Sequence, residues 1–584
     1  MMRTVPSRVY NATIILIVVV ACVVTILGWK LLWFLTDDAF ISFRYAANWV
    51  AGIGPTWNPP PFQHVEGYSN FSWMALLSLI WWLTGVEPPQ IANILLLAFG
   101  FGTVLLSSVW LAKIIYRDAP ATPFAHCFFL LALLLICCNK SFLTWLSSGL
   151  ETSLFTFLMV CWAYACCGRS GRPERVMWPA AAWLSSLLAL TRPDGLLFWG
   201  ITVAAFGFFT VLVRRAHLSG REWTIALIGL SIVPAHLLWR HHYYHDWLPN
   251  TYYAKVHAPW PEMGLRYLLS YFIEYALYVP VAAAAVFGFL AKRQSALRSI
   301  SVGLAMVAIG VAIQVAYYSL VVGGDHFEYR VFHHLVPLTV ILVSAALSIL
   351  YNRQRAILAL LAIWLIFQSI IPWTHWYYSK DLYTRWETLG MKVPIAAKVP
   401  RPLRPMVGLW DRLQAHMIEH SVGMRHQEHK VFYLFQRANL PPRAIAGAWP
   451  WSERNVLALG SVGVPAWVYA NVAIIDAAGL NDRILAKQSF TLHPAERKMA
   501  HDITASRKYL DCFEPNIRSS KADIETYIND YGHRQLNPDI PEGYFHVIPH
   551  PPARQTPLTD DMVRACENYP WTPAELYAQG FYWY

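Results

Sequence analysis

The most constraining feature of this chain is a series of apolar runs, roughly 18–25 residues each, the length of helix that crosses a ~30 Å hydrocarbon core. They lie near 12–36, 90–112, 123–139, 152–167, 177–191, 195–213, 222–239, 268–290, 299–322, 331–350 and 356–374. The expected fold class is a polytopic α-helical membrane protein with about eleven transmembrane helices. Charge agrees: only 14% of the 584 residues are charged and mean hydropathy is +0.35, whereas soluble domains carry about 25% charged residues. The first run, Asn11 to Leu35, is too long for a signal-peptide core and lacks a small-residue cleavage site, so it reads as a retained span.

The net charge of +11 does not point to nucleic acid, because Lys and Arg sit mostly in short loops between apolar runs. With the N-terminus inside, the inner loops hold Arg3 and Arg8, Lys113 and Arg117, Arg169, Arg172 and Arg175, Arg214, Arg215 and Arg221, Lys292, Arg293 and Arg298, and Arg353 and Arg355. Every inner loop is then basic, as the positive-inside rule requires. One more apolar stretch, Phe71 to Val86, ends in Glu87-Pro88-Pro89. It is read as a helix on the outer interface, since a further crossing there would put the later basic loops outside.

The composition changes near Trp373, giving a membrane domain (residues 1–374) and an extracytoplasmic C-terminal α/β domain (375–584). Val456–Gly460 and Val472–Asp476 look like short buried strands, and Lys392–Pro405 like a loose linker. Seven of nine cysteines lie in or beside apolar runs, where Cys acts as a small hydrophobe. Cys512 and Cys566 stand apart in the polar region and can pair if it faces an oxidising compartment. The 27 Trp residues suit interfacial belts and a sugar-facing cleft alike.

Charged residues are scarce at span centres; Glu274 is an exception, and it should lie near the outer end of its helix. Polar clusters gather instead in outer loops, as for an enzyme working at that surface. Asp37 and Asp38 follow the first span directly; adjacent carboxylates at a membrane exit are costly unless used. One can serve as general base on an acceptor hydroxyl while the other orients it or binds a cation; capping of a helix starting at Ala39 is the plainer alternative. Glu66, Tyr68 and Asn70, in a Gly- and Pro-bounded loop, offer sugar-type hydrogen-bonding groups, although a solvated loop explains them too. Arg192, Lys255 and Arg330 are cations on the face that usually avoids them, and a phosphate would justify them. His241, His242, His245 and Asp246 lack a third well-placed ligand, so no metal site is assigned; no cofactor is assigned either, with a divalent cation left open.

Several of these segments, in order, resemble the GT-C superfamily of polyprenyl-phosphate-sugar-dependent glycosyltransferases. They are Asp37-Asp38-Ala39-Phe40-Ile41-Ser42-Phe43-Arg44-Tyr45, Val65-Glu66-Gly67-Tyr68-Ser69-Asn70-Phe71, Ser148-Gly149-Leu150-Glu151-Thr152, Arg192-Pro193-Asp194-Gly195, Pro249-Asn250-Thr251-Tyr252-Tyr253-Ala254-Lys255, Gly324-Asp325 to Arg330, and Asp476-Ala477-Ala478-Gly479-Leu480-Asn481-Asp482. More narrowly, they look like the group containing the terminal arabinofuranosyltransferase of mycobacterial cell walls. The resemblance implies catalytic aspartates, a donor that reaches the site laterally from the bilayer, and an outer domain that helps hold the acceptor. Two departures are His245-Asp246, where relatives often have Gly, and the Pro-rich loop Asn58 to His64.

The function expected is transfer of a sugar, D-arabinofuranose being one choice, from a polyprenyl phosphate to an acceptor hydroxyl on the outer face of the inner membrane. Asp37 or Asp38 would be the base. Arg44, Glu66, Tyr68, Asn70, Glu151, Asp194, Asn250, Tyr253 and Asp325 would form the pocket, and Arg192, Lys255 and Arg330 would neutralise the leaving phosphate. Partners are the lipid-linked donor, membrane lipids, and a glycan, lipid-linked or protein acceptor. A glycolipid flippase would call for repeat symmetry and mid-membrane polar residues, which are not found; a non-catalytic glycan-binding scaffold is the third reading.

Overall fold

The computed structural model describes residues 7–116, 122–167, 176–212, 218–255, 258–291, 302–348, 353–447, 450–487, 497–500, 502, 504–516 and 558–577. Every apolar run becomes helix. Helix α1 (Ser7–Leu31) leads into the amphipathic α2 (Asp37–Val50) and then α3 (Phe71–Thr84). At 14 residues, α3 is about 21 Å long, short of a bilayer crossing. It stops at Gly85, whose φ of +74° suits a residue without Cβ.

There follow α4 (Pro88–Ile115), α5 (Pro123–Cys137), the short α6 (Lys140–Thr144), α7 (Thr152–Cys167), α8 (Trp178–Thr191), α9 (Gly195–Phe206, extended by a π-turn to Leu212) and α10 (Gly220–Tyr244). After α11 (Asn250–Lys255) come α12 (Pro261–Glu274), α13 (Tyr278–Ala291), α14 (Val302–Ala316, with a π-turn to Val322), α15 (Leu335–Ser348) and α16 (Gln354–Ser379). Helix α4 packs on α5, α7 and α15, and α8 on α7, α9 and α10. Small residues permit these approaches: a Cβ on Gly229 of α10 would stand 2.7 Å from the Trp183 ring of α8. Outward faces carry large apolar side chains such as Leu16, Leu27, Trp82, Leu212 and Leu238, a surface suited to lipid.

Six described helices are long and apolar enough to cross a membrane, and a seventh counts if the bent pair α12–α13 is one span. The run at 268–290 is thus not one straight helix: it breaks by 83° between Glu274 and Tyr278, where Ala276 takes a φ of +50°. Several other runs give helices of 14–16 residues, so helix length by itself does not reach the expected eleven.

Past α16, the C-terminal region holds α17 (Arg385–Thr388), α18 (Arg404–Glu419), α19 (His426–Asn439) and α20 (Arg443–Ala446). A parallel pair follows, β1 (Val456–Leu459) and β2 (Ala473–Asp476), joined through α21 (Gly463–Val468) and registered Val456 opposite Ala473. The two strands fall where the sequence puts them. The stretch 392–405 is not loose: Ile395 and Ala396 donate their amides to Asp411 at 3.0 and 2.9 Å, and Ile395 and Val399 bury against Trp410 and Ile371. Cys512 and Cys566 form a disulfide spanning 54 residues; in the chain-entropy view such a loop closure contributes about 4 kcal/mol.

A buried charge network ties the C-terminal region to the helices. Glu328 pairs with Lys140 and, at 3.1 Å, with Arg425. Arg425 also grips Glu274 at the α12–α13 break through two bonds of 3.0 and 2.9 Å, and Trp410 donates to the same carboxylate at 3.0 Å. Glu274 ends α12, in line with its expected place near the helix end. The four side chains sum to zero charge and are at most 1% exposed, a geometry in which losing one partner strands a buried charge.

Candidate active site

The turn from α1 into α2 is held by the loop before α7. Thr36 donates its amide to the Ser148 carbonyl (3.1 Å) and Ser148 to that of Phe34 (2.9 Å). Ser148 and Gly149 have φ of +93° and +79°, and a Cβ on Gly149 would lie 2.8 Å from that of Ala39. Close approach of this loop therefore fixes where α2 begins, and with it the two aspartates.

They face different ways. The Asp37 carboxylate accepts the amides of Gly463 and Val464 at 3.1 and 2.7 Å, at the start of α21. It is buried, and desolvation pushes its pKa up to about 6 against the opposing pull of those amides. Asp38 is half-buried and accepts no hydrogen bond among the described residues. It borders a cleft with about 1110 Å³ of free space that also reaches Tyr68, Asn70, Glu151, Arg192, Asp194, Lys255, Asp325 and Arg330. Nine of the residues singled out from sequence thus converge on one cavity, Asp38 and Arg330 among them.

Two of its three cations are already engaged. Arg192 donates to Glu151 (2.9 Å), Asp194 (2.9 Å) and the Tyr318 hydroxyl (3.1 Å). Arg330 makes a two-point pair with Asp325 at 2.8 and 3.1 Å and lies over the Phe327 ring. Lys255 has no carboxylate within ion-pair distance among the described residues. Glu151 in turn accepts from Asn70 (2.8 Å), whose amide oxygen accepts from Ser42 (3.0 Å).

Five other residues singled out lie off this cleft: Asp37 and four more. Arg44 is buried and spends all its donors on the Trp57, Ala466, Tyr469 and Val472 carbonyls and the Asn58 side chain, pinning α2 to the β1–β2 unit. Glu66 pairs with Arg240 at 2.6 Å, and burial lifts its pKa to about 7. Asn250 donates to the carbonyls of Gly479, Leu480 and Asp482. Tyr253 sits by Lys487, 5.4 Å from ring centre to ammonium, while its neighbours Thr251 and Tyr252 line the cleft.

Local geometry also accounts for the departure at His245, which caps α10 in the left-handed region (φ +58°), a conformation glycine adopts freely. Asp246 is held by Arg483 at 3.3 Å and by Lys487, and His241 stacks on Trp247. Among the described residues no group of three or more His, Cys, Asp or Glu side chains converges as metal ligands would.

Some contributors have no motif. Tyr318 hides in an apolar run, and Ser42 reads as part of α2.

No protein-family profile matches the sequence, and no curated protein does either. Among solved structures, ArnT from Cupriavidus metallidurans bound to undecaprenyl phosphate superposes with TM-score 0.51 over 80% of this chain and 86% of that one, at 13% identity. The chain has the fold of ArnT. The apo state of ArnT gives a TM-score of 0.46, also at 13% identity, over 81% of this chain and 87% of that one. Coverage of 80% exceeds what residues up to Ser379 contribute, so the likeness to ArnT takes in part of the C-terminal region. The likeness to ArnT is one of fold, and nothing in it singles out the arabinofuranosyltransferase group.

Proposed function

We propose that this protein is a membrane glycosyltransferase that moves a sugar from a polyprenyl-phosphate donor to an acceptor hydroxyl. The observation that carries the reading is Asp38, a carboxylate with no structural duty among the described residues, facing Lys255, a cation with no carboxylate partner there, across a cleft in an ArnT-like fold. The ArnT structure it resembles was solved with undecaprenyl phosphate bound.

In this reading Asp38 takes the proton of the acceptor hydroxyl as its oxygen bonds to the anomeric carbon. The bond from that carbon to the phosphate oxygen breaks, and its electron pair leaves with the polyprenyl phosphate. Lys255 meets the charge that develops there, with Arg192 and Arg330 as fixed donors beside it. D-arabinofuranose is the first sugar to test. Eleven crossings of the inner membrane, with residues 375–584 outside, put the cleft at the surface where such a donor carries its headgroup. The function expected of that outer region is to hold the acceptor.

Radiolabelled polyprenyl-phosphate sugar offered to the purified protein with a hydroxylated acceptor tests this. Turnover by the wild type and its loss in Asp38→Asn are expected. Full activity in Asp38→Asn rejects the assignment, and movement of lipid across vesicles without transfer points to a flippase instead.

A further inference from the structure

A second chamber, with about 760 Å³ of free space, opens beyond Asp38. Asp38, Ile41, Lys255, Leu480 and Ala500 border both chambers, so the two meet at the proposed base. Its far wall comes from the outer region, with Arg385, Glu428, His429 and Phe432. One carboxylate oxygen of Glu428 accepts from Arg385 (3.2 Å) and from the Gly390 amide (3.2 Å); the other accepts nothing among the described residues. Arg385 lies over the Phe432 ring at 4.4 Å. His429 is 7% exposed, and its Nε2 has no hydrogen-bond partner among the described residues. A buried ring nitrogen left unpaired is unfavourable, and a ligand group that meets it recovers that loss.

We propose that this chamber binds the acceptor, and that the part of the acceptor it holds is an uncharged, hydroxyl-rich sugar. The proposal rests on the first cleft being the donor site. Charge argues for the neutral class: Asp37, Asp38 and Asp476, joined by Glu428, whose pKa burial raises to about 7, share the chamber with Arg385 and Lys255, and Arg385 is already paired. A phosphate or carboxylate on the acceptor would meet a surplus of negative charge, which discriminates against it. Sugar hydroxyls suit the same wall, because they donate to the free oxygen of Glu428 and exchange a hydrogen bond with His429 Nε2. Burial lowers the His429 pKa to about 3, so the ring is neutral at physiological pH and offers no positive charge to an anion. With the sugar so held, another of its hydroxyls, at the junction, gives its proton to Asp38; that oxygen bonds to the anomeric carbon as the bond from this carbon to the phosphate oxygen breaks, and polyprenyl phosphate leaves with the electron pair.

The test compares matched acceptors, a neutral oligosaccharide on an alkyl tail and the same compound phosphorylated on its terminal sugar, using the full-length protein in nanodiscs and one labelled donor. The neutral compound is expected to have at least tenfold higher kcat/KM. Glu428→Gln and His429→Ala should each raise the KM for acceptor at least tenfold more than that for donor, with partial recovery in His429→Gln. Neutral-acceptor binding measured by calorimetry should weaken in parallel in both variants. A preference for the phosphorylated compound, or equal changes in the two KM values with transfer intact, overturns the acceptor assignment and leaves the transferase reading standing. No turnover or donor cleavage by the wild type overturns both.

Discussion

Asp37 and Asp38 are neighbours in sequence and identical in kind, yet the fold surrounds them differently, and in the proposed reaction only Asp38 is the base. Spacing could not rank them; the amides of Gly463 and Val464 do. Asp38→Asn should lower transfer by about 10²–10⁴-fold, the range for losing a general base, with an unchanged unfolding temperature. Asp37→Asn should cost roughly 0.5–2 kcal/mol, as loss of a helix-capping group does, measured by thermal unfolding in detergent. The pKa of Asp37 and of Asp476 is about 6 in the folded chain, against about 3.9 in an unfolded one. The folded protein thus keeps protons that the unfolded chain has released, so stability falls as pH rises from about 4 to 6. Unfolding temperatures across that window should decline, and Asp37→Asn should make the decline shallower. Motifs revealed which residue types gather at the site, and nine of them do share one cavity. They could not reveal the division of labour, because Arg44 and Asn250 have the same chemistry whether they bind a ligand or, as found, backbone carbonyls.

Elements were the most legible level. A run of apolar residues has to become helix in lipid, where each backbone polar group needs an internal partner, and each described run did. The elbow between α12 and α13 was hidden because apolarity continues across it while direction does not; only Glu274 marked the spot. Residues 392–405 misled for the converse reason, being rich in Pro and Lys yet anchored by Asp411 of the helix that follows. Close contacts between elements rest on missing side chains. A Cβ on Gly463 would fall 1.8 Å from the Asp37 carbonyl oxygen, and one on Gly67 would fall 1.7 Å from the Asn481 side chain. Gly463→Ala and Gly67→Ala should each destabilise by about 1–3 kcal/mol, as overpacking does, with activity falling because the β1–β2 unit shifts from α2. An unchanged melting curve in either variant would show that the contact yields freely.

At the scale of the whole molecule, the network of Lys140, Glu274, Glu328 and Arg425 clamps the C-terminal region to the helices. Arg425→Met should cost about 3–5 kcal/mol by leaving buried carboxylates unpaired, and pairing it with Glu274→Gln should restore part of that. Limited proteolysis between 380 and 447 reads the loosening directly. Sequence gave little hint of this clamp, since its members are far apart in the chain and meet only in the fold. The wall common to the two chambers has a kinetic meaning. Of the five residues bordering both chambers, one carboxylate and one ammonium are the only charged ones, so in the proposed reaction neither room completes its half while the other is vacant. Both reactants then have to be seated together before any bond changes, and initial-rate plots against the two concentrations should intersect rather than run parallel.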